Sequence, residues 1–467
     1  MRLLIIQPVA DARARRCPYR HAVALAGAVL RQRGHQVALL TTETGAEESF
    51  TATLAGGSPE LVLLYVDSLA ADLAFRVADV LRATAAVPLI VFGPHATLCP
   101  NECLSMSGAE AVALGPADAT LPGYLDARWR GPEFMRTAGL WVNCETGVMR
   151  NPPPRPPQNL ADQPLPARDL YPDVLDPAGY AEVRIARGGE SDGSADEPSL
   201  PPETAAAWPT SAAWPMMLRP VASVVEEMAS VADDHLDLAG FRITNDRWAC
   251  IPLWLVEFVP RYRKEIGLPL RTTLHAPDVN DRVAELLKEA GCEEVSIRVG
   301  SGSAFLRNDV LGLGASTEAI ESAFAALGRA EVRTAALVEV GAPYETPVTL
   351  DETVALLKRL APGRVEASLH WPAPGTRAFA IAKENGWLVP NAVAAHLAGA
   401  PALALPGLAA DQIVTAAECL PYQVVRPWVV PLIRAARRVR MGARGTLYEV
   451  LVRPFLGPPV RPGVKAP

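Results

Sequence analysis

Two turns of this sequence combine glycine with polar side chains in a way that suits ligand binding. Gly93 to Thr97, reading Gly-Pro-His-Ala-Thr, directly follows an apolar run, and Gly115 to Thr120 lies in a similar position further along the chain. Ligands of parallel α/β sheets bind at the carboxyl ends of the strands, so both turns are candidate binding residues. On the residues alone, His95 could instead be a turn histidine that caps the end of a strand.

The seven cysteines are scattered along 467 residues. That pattern favours a reducing compartment over a disulfide framework, so we expect a cytoplasmic protein. Cys99 and Cys103 form a lone Cys-x3-Cys with no third cysteine nearby, and we interpret both as structural. No cysteine occurs between Cys144 and Cys250.

A long acidic loop follows the strand predicted for residues 180–186. The loop begins at Arg187-Gly188-Gly189, and no basic residue lies between Arg187 and Arg219. Five acids lie in it: Glu190, Asp192, Asp196, Glu197 and Glu203. Such a loop repels anionic groups, and its composition predicts no regular structure.

Other acidic residues permit two interpretations each. Asp246, at the end of a predicted strand, could bind a ligand or cap the helix that follows it. The pairs Glu226-Glu227 and Glu293-Glu294 are expected on solvated faces of their elements.

Composition excludes several classes of protein. The net charge of -7 gives no reason to expect nucleic acid as a partner. We expect no membrane span, because no uncharged apolar run reaches roughly 18 residues, and the run 3–6 is too short for a signal peptide. The basic region near the C-terminus is either a solvated helix face or a weak peripheral patch for a protein, an acidic substrate or a membrane surface; its arginines are Arg434, Arg437, Arg438, Arg440 and Arg444.

The order of the predicted elements indicates an α/β protein. Residues 1–128 alternate strands (3–6, 35–40, 61–66, 88–92) with helices (22–33, 70–84), which predicts a doubly wound parallel sheet. No G-x-G-x-x-G follows the first strand, so a dinucleotide fingerprint is absent. A proline-rich connector over 129–178 comes next, and a helical appendage is expected over 390–467.

Residues 179–389 alternate strands and helices a second time. This alternation predicts a partial (β/α)6 TIM-like barrel. The predicted strands are 180–186, 238–244, 269–275, 294–299, 332–340 and 364–370, and the predicted helices are 220–232, 251–266, 279–290, 316–328, 349–360 and 377–385.

Several motifs resemble those of cobalamin-dependent radical SAM enzymes. The first turn resembles their Gly-Gly-Pro-His-Ala-Thr, the second their Gly-Glu-x-Glu, and residues 160–172 resemble the segment that joins their two domains. Residues 286–303, 339–346 and 371–376 resemble their fourth, fifth and sixth barrel strands. The resemblance covers about residues 1 to 390 and implies a Rossmann-like cobalamin-binding domain followed by the barrel.

The resemblance also implies cofactor contacts. For cobalamin these are Tyr65, Gly93, Pro94, His95, Gly115, Asp118 and Thr120, and no histidine is an obvious cobalt ligand. For S-adenosylmethionine they are Asp246, Ser301 and Gly302. Gly300 stands where the family has a glutamate.

The cluster motif of the family is missing. Its Cys-x3-Cys-x2-Cys falls on Gly189, Gly193 and Asp196, none of which can ligate iron as a thiolate. We therefore expect no iron–sulfur cluster and identify no metal ligand.

Three functions remain open from the sequence. The first is a clusterless cobalamin-binding relative, acting as a non-radical cobalamin- or S-adenosylmethionine-dependent enzyme on a small molecule, or as the partner of an active paralogue. The second is an active radical SAM methyltransferase or cyclase with an unusual cluster site. The third is a non-catalytic binding or scaffolding module.

Overall fold

The computed structural model describes residues 1–10, 18–43, 58–128, 131–155, 157, 159–187, 216–431 and 433. Internal contacts group the chain into two units. The first unit contains the described residues up to Leu238, and the second those from Ala239 onward. The domain boundaries predicted from the sequence stay predictions.

The first unit begins with alternating strands and helices. The strands are β1 (Arg2–Pro8), β2 (Gln36–Thr42), β3 (Leu61–Tyr65), β4 (Leu89–Phe92), β5 (Ala109–Ala113), β6 (Leu140–Cys144) and β7 (Gly147–Arg150). The helices are α1 (His21–Gln32), α2 (Ala71–Thr84), α3 (Pro94–Leu98), α4 (Pro100–Leu104) and α5 (Ala117–Arg128).

These strands form one sheet in the order β2-β1-β3-β4-β5-β6-β7. The first five are mutually parallel, and β6 and β7 are added antiparallel at one edge. Every residue of β3 and β4 is buried, as expected for central strands of a parallel sheet that is covered on both faces. The predicted α/β class and doubly wound sheet are confirmed.

Three strands of this sheet were not predicted. Strand β5 reads Ala-Glu-Ala-Val-Ala, in which alanine and glutamate have low strand propensity. Strands β6 and β7 form a hairpin in what the sequence suggested was connector. The close approach of Arg150 to the ring of Trp141, 4.9 Å from guanidinium carbon to centroid, adds a cation–π contact across the hairpin.

The strand predicted for 180–186 is shorter in the structure. Strand β8 covers Tyr180–Val183, and Ala186–Arg187 then pairs antiparallel with Met217–Leu218. Helix α6 (Val221–Asp234) follows and completes the first unit.

A buried ionic network ties the connector to α6. The carboxylate of Glu227 accepts hydrogen bonds from Arg168 at 2.6 and 3.0 Å and from the guanidinium of Arg219. The three side chains are 2%, 10% and 7% exposed respectively. The expectation that Glu227 lies on a solvated face is wrong, because two arginines compensate its burial. Arg168 also lies 4.4 Å from the ring centroid of Tyr19.

The second unit contains five further strands with intervening helices. The strands are β9 (Gly240–Ile243), β10 (Leu270–Leu274), β11 (Cys292–Gly300), β12 (Arg333–Val340) and β13 (Arg364–Leu369). The helices are α7 (Pro252–Glu265), α8 (Asp281–Glu289), α9 (Thr317–Arg329), α10 (Pro347–Leu360), α11 (Arg377–Glu384), α12 (Ala392–Leu397) and α13 (Ala410–Val425). Each predicted strand and helix of residues 179–389 is present, with ends shifted by a few residues.

Strands β9 to β13 are parallel and paired in sequence order. In β11, Val295, Ile297 and Val299 are buried, whereas the residues between them are partly exposed. One face of this sheet therefore packs on helices while the other is polar. On the polar side Glu294 bonds Arg364 at 2.7 Å, and Glu293 lies 3.3 Å from Arg333, so neither glutamate is simply solvated as expected.

Within the residues that the structure describes, the predicted appendage contains the helices α12 and α13, and the stretch between them is irregular. The basic residues Arg434 to Arg444 lie outside the described residues. Among the helices that are described, none is both long enough and apolar enough to cross a membrane.

Arg307 holds the segment after β11 in place. Its side chain is fully buried and donates to the carbonyl oxygens of Ala315 (2.7 Å) and Ser301 (2.9 Å) and to the hydroxyl of Thr317 (2.8 Å). These hydrogen bonds fix the segment between β11 and α9.

We expect Arg307→Met to destabilise the protein by roughly 3 kcal/mol, because two buried carbonyl groups lose their donors. The matched control is Arg329→Met, which breaks an exposed pair with Asp281 and should change stability by less than about 1 kcal/mol. Urea unfolding of both variants measures the difference. Equal stabilities would contradict the role assigned to Arg307.

Candidate functional site

The two glycine turns of the sequence lie at neighbouring strand ends of the first unit. The first turn follows β4 and the second follows β5, and Tyr65 ends β3 beside them. Tyr65 packs edge-to-face on Phe92, with ring centroids 5.5 Å apart. Structure and sequence therefore agree that these residues share the carboxyl edge of one sheet.

Thr97 joins the two turns. Its hydroxyl oxygen accepts a 2.8 Å hydrogen bond from the backbone N–H of Gly115 and donates to the carbonyl oxygen of Gly93 at 3.2 Å. Thr120, fully buried on α5, donates to the carbonyl oxygen of Leu114 at 3.4 Å. The two turns thus form one connected backbone ledge, which we call the Thr97 ledge (residues 93–97 and 115–120).

Gly93 is required by packing as well as by conformation. Its φ is +117°, and an added Cβ would lie 2.6 Å from the carbonyl oxygen of Val66. Any side chain here would displace the end of β3. Pro94 follows as the first residue of α3, where its missing N–H costs nothing.

Asp118 is neutralised within its own unit. Arg187 binds its carboxylate with two hydrogen bonds of 2.6 and 2.7 Å, and Gln163 donates a third at 3.0 Å. The side chains of Asp118 and Arg187 are 8% and 11% exposed. This predicted cofactor contact therefore also fixes Arg187, the last described residue before the acidic loop.

His95 is buried beneath the ledge. Its Nδ1 lies 3.1 Å from the hydroxyl of Ser68, and its Nε2 has no hydrogen-bond partner and lies 3.5 Å from Glu102. The ring is therefore not presented at the edge as a cobalt ligand. Histidine and glutamate interact: the pKa of Glu102 is lowered, mainly by His95, against the opposing effect of burial.

The two cysteines of the Cys-x3-Cys differ in environment. Cys103 is fully buried in the apolar core, where burial raises its thiol pKa well above the usual range. This agrees with a structural role. Cys99 is partly exposed and stands beside His95 and Glu102, so its environment is polar.

The residues of the edge fit a large planar ring such as a corrin. The Thr97 ledge presents backbone and small side chains, Gly93 and Gly115 adopt positive φ, and the charge of Asp118 is already balanced by Arg187. A corrin would then lie over the ledge without meeting an unpaired charge.

The second unit presents a different set of groups at its strand ends. One polar residue lies at or just beyond the end of each of the five strands: Asp246, His275, Arg298, Glu339 and His370, here called the strand-end row. The N–H of His275 donates to the carbonyl oxygen of Asp246 at 2.9 Å, and Arg298 influences both His275 and Glu339 electrostatically. The row thus runs across the edge where barrel enzymes place catalytic residues.

His370 and Glu339 form a hydrogen-bonded pair. The Nδ1 of His370 lies 2.6 Å from Glu339 Oε2, and its Nε2 is buried without a hydrogen-bond partner. With Nδ1–H donating to the carboxylate, Nε2 carries the lone pair. Burial opposes ionisation of Glu339, but the hydrogen bond from His370 lowers the pKa of Glu339 overall.

Glu345 lies near this pair and is buried. Burial raises its pKa to about 7, against the stabilising backbone hydrogen bond from Gly341. A carboxyl group that titrates near neutral pH can exchange protons under ordinary conditions.

Two pKa values are also shifted at the other end of the strand-end row. Burial, reinforced by Arg247, lowers the pKa of His275. Burial raises the pKa of Asp278, against Arg247, which donates to it at 2.7 Å. The neutral form of His275 is therefore favoured, and the ring lies beside the ion pair of Arg247 and Asp278.

Asp246 does not cap a helix. Helix α7 begins at Pro252 with Ile251 as its N-cap, so the capping interpretation is wrong. One carboxylate oxygen of Asp246 is buried without a hydrogen-bond partner. Ligand binding is the interpretation that this geometry favours, and it stays a prediction.

Ser301 and Gly302 lie against helix α10. The Thr353 hydroxyl lies 3.3 Å from Ser301 Oγ and accepts from the Gly302 N–H at 2.8 Å. A Cβ on Gly302 would lie 2.4 Å from the backbone of Glu352. These polar groups already have protein partners, and their predicted contact with S-adenosylmethionine stays a prediction.

A glutamate at Gly300, as in the resembling family, would be strained and would displace the Leu313 side chain. The φ of Gly300 is +64°, and a Cβ there would lie 2.4 Å from Leu313 Cδ1. The local backbone and packing therefore differ from what a glutamate requires. Gly189, Gly193 and Asp196 lie outside the described residues.

Arg298, Glu339, His370 and His275 were not among the predicted site residues. A signal was nevertheless present, because each lies within one residue or two of the end of a predicted strand. Glu339 even opens a segment, 339–346, that the resemblance singled out.

Comparison with known proteins supports the resemblance. An uncharacterized methyltransferase from Pyrococcus horikoshii is 25% identical over 311 residues, which are 64% of each chain. The match thus spans just under two thirds of that relative. No protein-family profile matches the chain.

Two solved structures share the fold. One is the radical S-adenosylmethionine methyltransferase TsrM from Kitasatospora setae, solved with tryptophan and a S-adenosylmethionine analogue. The match covers 82% of this chain and 76% of the TsrM chain, with a TM-score of 0.63 and 19% sequence identity. The other is the cobalamin-dependent S-adenosylmethionine radical enzyme OxsB. The match covers 94% of this chain and 70% of the OxsB chain, with a TM-score of 0.68 and 12% sequence identity. The resemblance seen in the sequence and the fold class are confirmed.

Proposed function

We propose that this chain, which has the fold of cobalamin-dependent radical SAM enzymes, binds cobalamin but lacks their iron–sulfur cluster and acts without radical chemistry. The observation that carries the proposal is the replacement of three thiolates by Gly189, Gly193 and Asp196. Glycine has no ligand atom, and a single carboxylate cannot hold a cluster that needs soft sulfur donors.

The described cysteines support this proposal. Cys103, Cys292 and Cys419 are buried, and within the described ranges no three cysteines come together. Burial raises the pKa of the Cys292 thiol to about 12, so it is not a thiolate at neutral pH. An alternative cluster site has no support from these residues.

The binding part of the proposal concerns the Thr97 ledge. Its glycines allow the backbone to approach a planar group closely, and Thr97 keeps the two turns in register. Cobalamin, when bound, supplies a carrier for methyl groups. The protein's contribution at this edge is to hold and orient it, and His95 stays buried rather than ligating the cobalt.

The catalytic part concerns the strand-end row. His370 Nε2 can accept a proton from a small substrate, because Glu339 fixes the ring and stabilises the imidazolium that forms. Arg298 supplies positive charge near Glu339, and Glu345 can deliver or receive a proton near pH 7. These are the groups that polar, non-radical chemistry requires.

A role as partner of an active paralogue is the second candidate. The acidic loop that follows Arg187 favours it, because its sequence carries five acids with no basic residue among them, which suits a basic partner surface better than the carboxylate of S-adenosylmethionine. The two candidates differ in one respect: an enzyme needs His370, whereas a partner protein does not.

Reconstitution with iron and sulfide tests the proposal. The protein is purified without oxygen, mixed with hydroxocobalamin and gel-filtered. We expect it to retain corrin, to hold substoichiometric iron, and to form no 5′-deoxyadenosine from S-adenosylmethionine under dithionite. About four irons per chain together with 5′-deoxyadenosine would restore the radical enzyme. Absence of both corrin and iron would favour a scaffolding module.

A further inference from the structure

We propose that His95, Cys99 and Glu102 form a binding site for a divalent zinc-class cation in the first unit. Their ligand atoms lie within 4.8 Å of one another. The three residues come from the short helices α3 and α4 and the bend between them, in the spacing His-x3-Cys-x2-Glu. The site is independent of the iron–sulfur chemistry considered above.

The histidine carries the strongest indication. His95 is 3% exposed, and its Nε2 has no hydrogen-bond partner although it is aimed at Glu102. The 3.5 Å between Nε2 and Oε2 is longer than a good N–H···O hydrogen bond, which is about 2.7 to 3.2 Å. A buried ring nitrogen without a partner is costly, and a metal ion would satisfy it.

The distance suits two ligands of one ion. A tetrahedral zinc with bonds of about 2.0 Å to nitrogen and oxygen and about 2.3 Å to sulfur separates its ligand atoms by roughly 3.3 to 3.6 Å. The Nε2–Oε2 separation already falls in that range, and a small movement of the Cys99 sulfur would complete the set.

The second shell is also in place. His95 Nδ1 lies 3.1 Å from Ser68 Oγ, the kind of contact that fixes the tautomer of a metal-bound histidine and leaves Nε2 as the donor atom. Without such a partner the ring would be free to rotate, and the ligand set would lose its orientation.

The donor types select the metal. One imidazole, one thiolate and one carboxylate suit zinc better than magnesium or calcium, which prefer oxygen alone. The two anions would balance the charge of the cation. Glu102 is half exposed, 52% of its side chain, so a fourth position remains open to water.

Metal binding would influence the Thr97 ledge. His95 lies within the first turn, so an ion bound to its ring would restrain residues 93–97 from the buried side of the Thr97 ledge. The exposed side of the ledge would stay available for the corrin. Cys99 would then act as a ligand and not as a purely structural residue, in contrast to Cys103 in the apolar core.

Zinc and cobalt(II) binding to the full chain, stripped of metal and free of corrin, tests the site. We expect one zinc per chain, and with cobalt(II) a thiolate-to-metal charge-transfer band. Cys99→Ser should abolish the band and weaken zinc binding by at least about 100-fold. Ser68→Ala should weaken it by about 10-fold while keeping the band.

Matched variants keep the test decisive. Cys144→Ser alters another partly exposed cysteine of the same unit and should leave both signals unchanged. Glu102→Gln changes an exposed side chain, so the protein should fold and still lose affinity. Absence of bound zinc in the wild type, or a charge-transfer band that survives Cys99→Ser, would overturn the site.

Discussion

Replacing Glu227 with alanine should be among the most damaging single changes in the first unit. The substitution leaves Arg168 and Arg219 buried without their carboxylate, and breaking a buried ionic network in this way costs about 3–5 kcal/mol. For a unit of this size the melting temperature should fall by on the order of 10 °C. Differential scanning calorimetry of the full chain measures it.

The neighbouring glutamate provides the control. Glu226 lies one position earlier on α6 and is exposed, so Glu226→Ala should change the melting temperature by no more than about 2 °C. Equal melting temperatures for the two variants would contradict the stabilising role assigned to the ionic network. A charge-preserving Glu227→Asp variant should recover part of the loss.

Gly115→Trp should abolish retention of cobalamin. The indole would occupy the space above the Thr97 ledge that we assign to the corrin, and the backbone N–H of residue 115 would still reach Thr97. Hydroxocobalamin is mixed with the variant and the absorbance of the gel-filtered protein is recorded. Retention equal to that of the wild type would show that the corrin, if bound, lies elsewhere.

Backbone strain must be separated from occlusion in that experiment. Gly115 has φ +67°, so any side chain there also costs about 1–2 kcal/mol. Gly34→Trp carries the same kind of strain at φ +82°, in open space after α1 and at the amino edge of the sheet. It should melt at a similarly reduced temperature yet retain cobalamin.

Much of the architecture could be predicted because its signals are local. Buried strands such as Leu61–Tyr65 and helices with a glycine after them are encoded in a few consecutive residues. The hairpin β6–β7 was not predicted because it lies in a proline-rich region. Strand β5 was not predicted because alanine is a weak strand former. In both cases pairing with a neighbour, a non-local effect, decides the structure.

The sites were predicted less completely. The glycine turns stood out because glycine at a strand end has few other reasons to occur. The sequence around Asp118 and Glu227 does not indicate their arginine partners. Arg187 lies 69 residues from Asp118 in the chain, and Arg168 lies 59 residues from Glu227. The His370–Glu339 pair likewise joins two strands, so no single segment of sequence contains it.

The network at Glu227 bears on where this protein can be divided for expression. Cutting within the connector, as the motif pattern suggests, would separate Arg168 from α6 and leave a buried guanidinium facing Tyr19 without its counter-charge. Internal contacts instead group the described residues up to Leu238 together. A soluble amino-terminal fragment would therefore have to retain β8 and α6, although the sequence assigns both to the barrel.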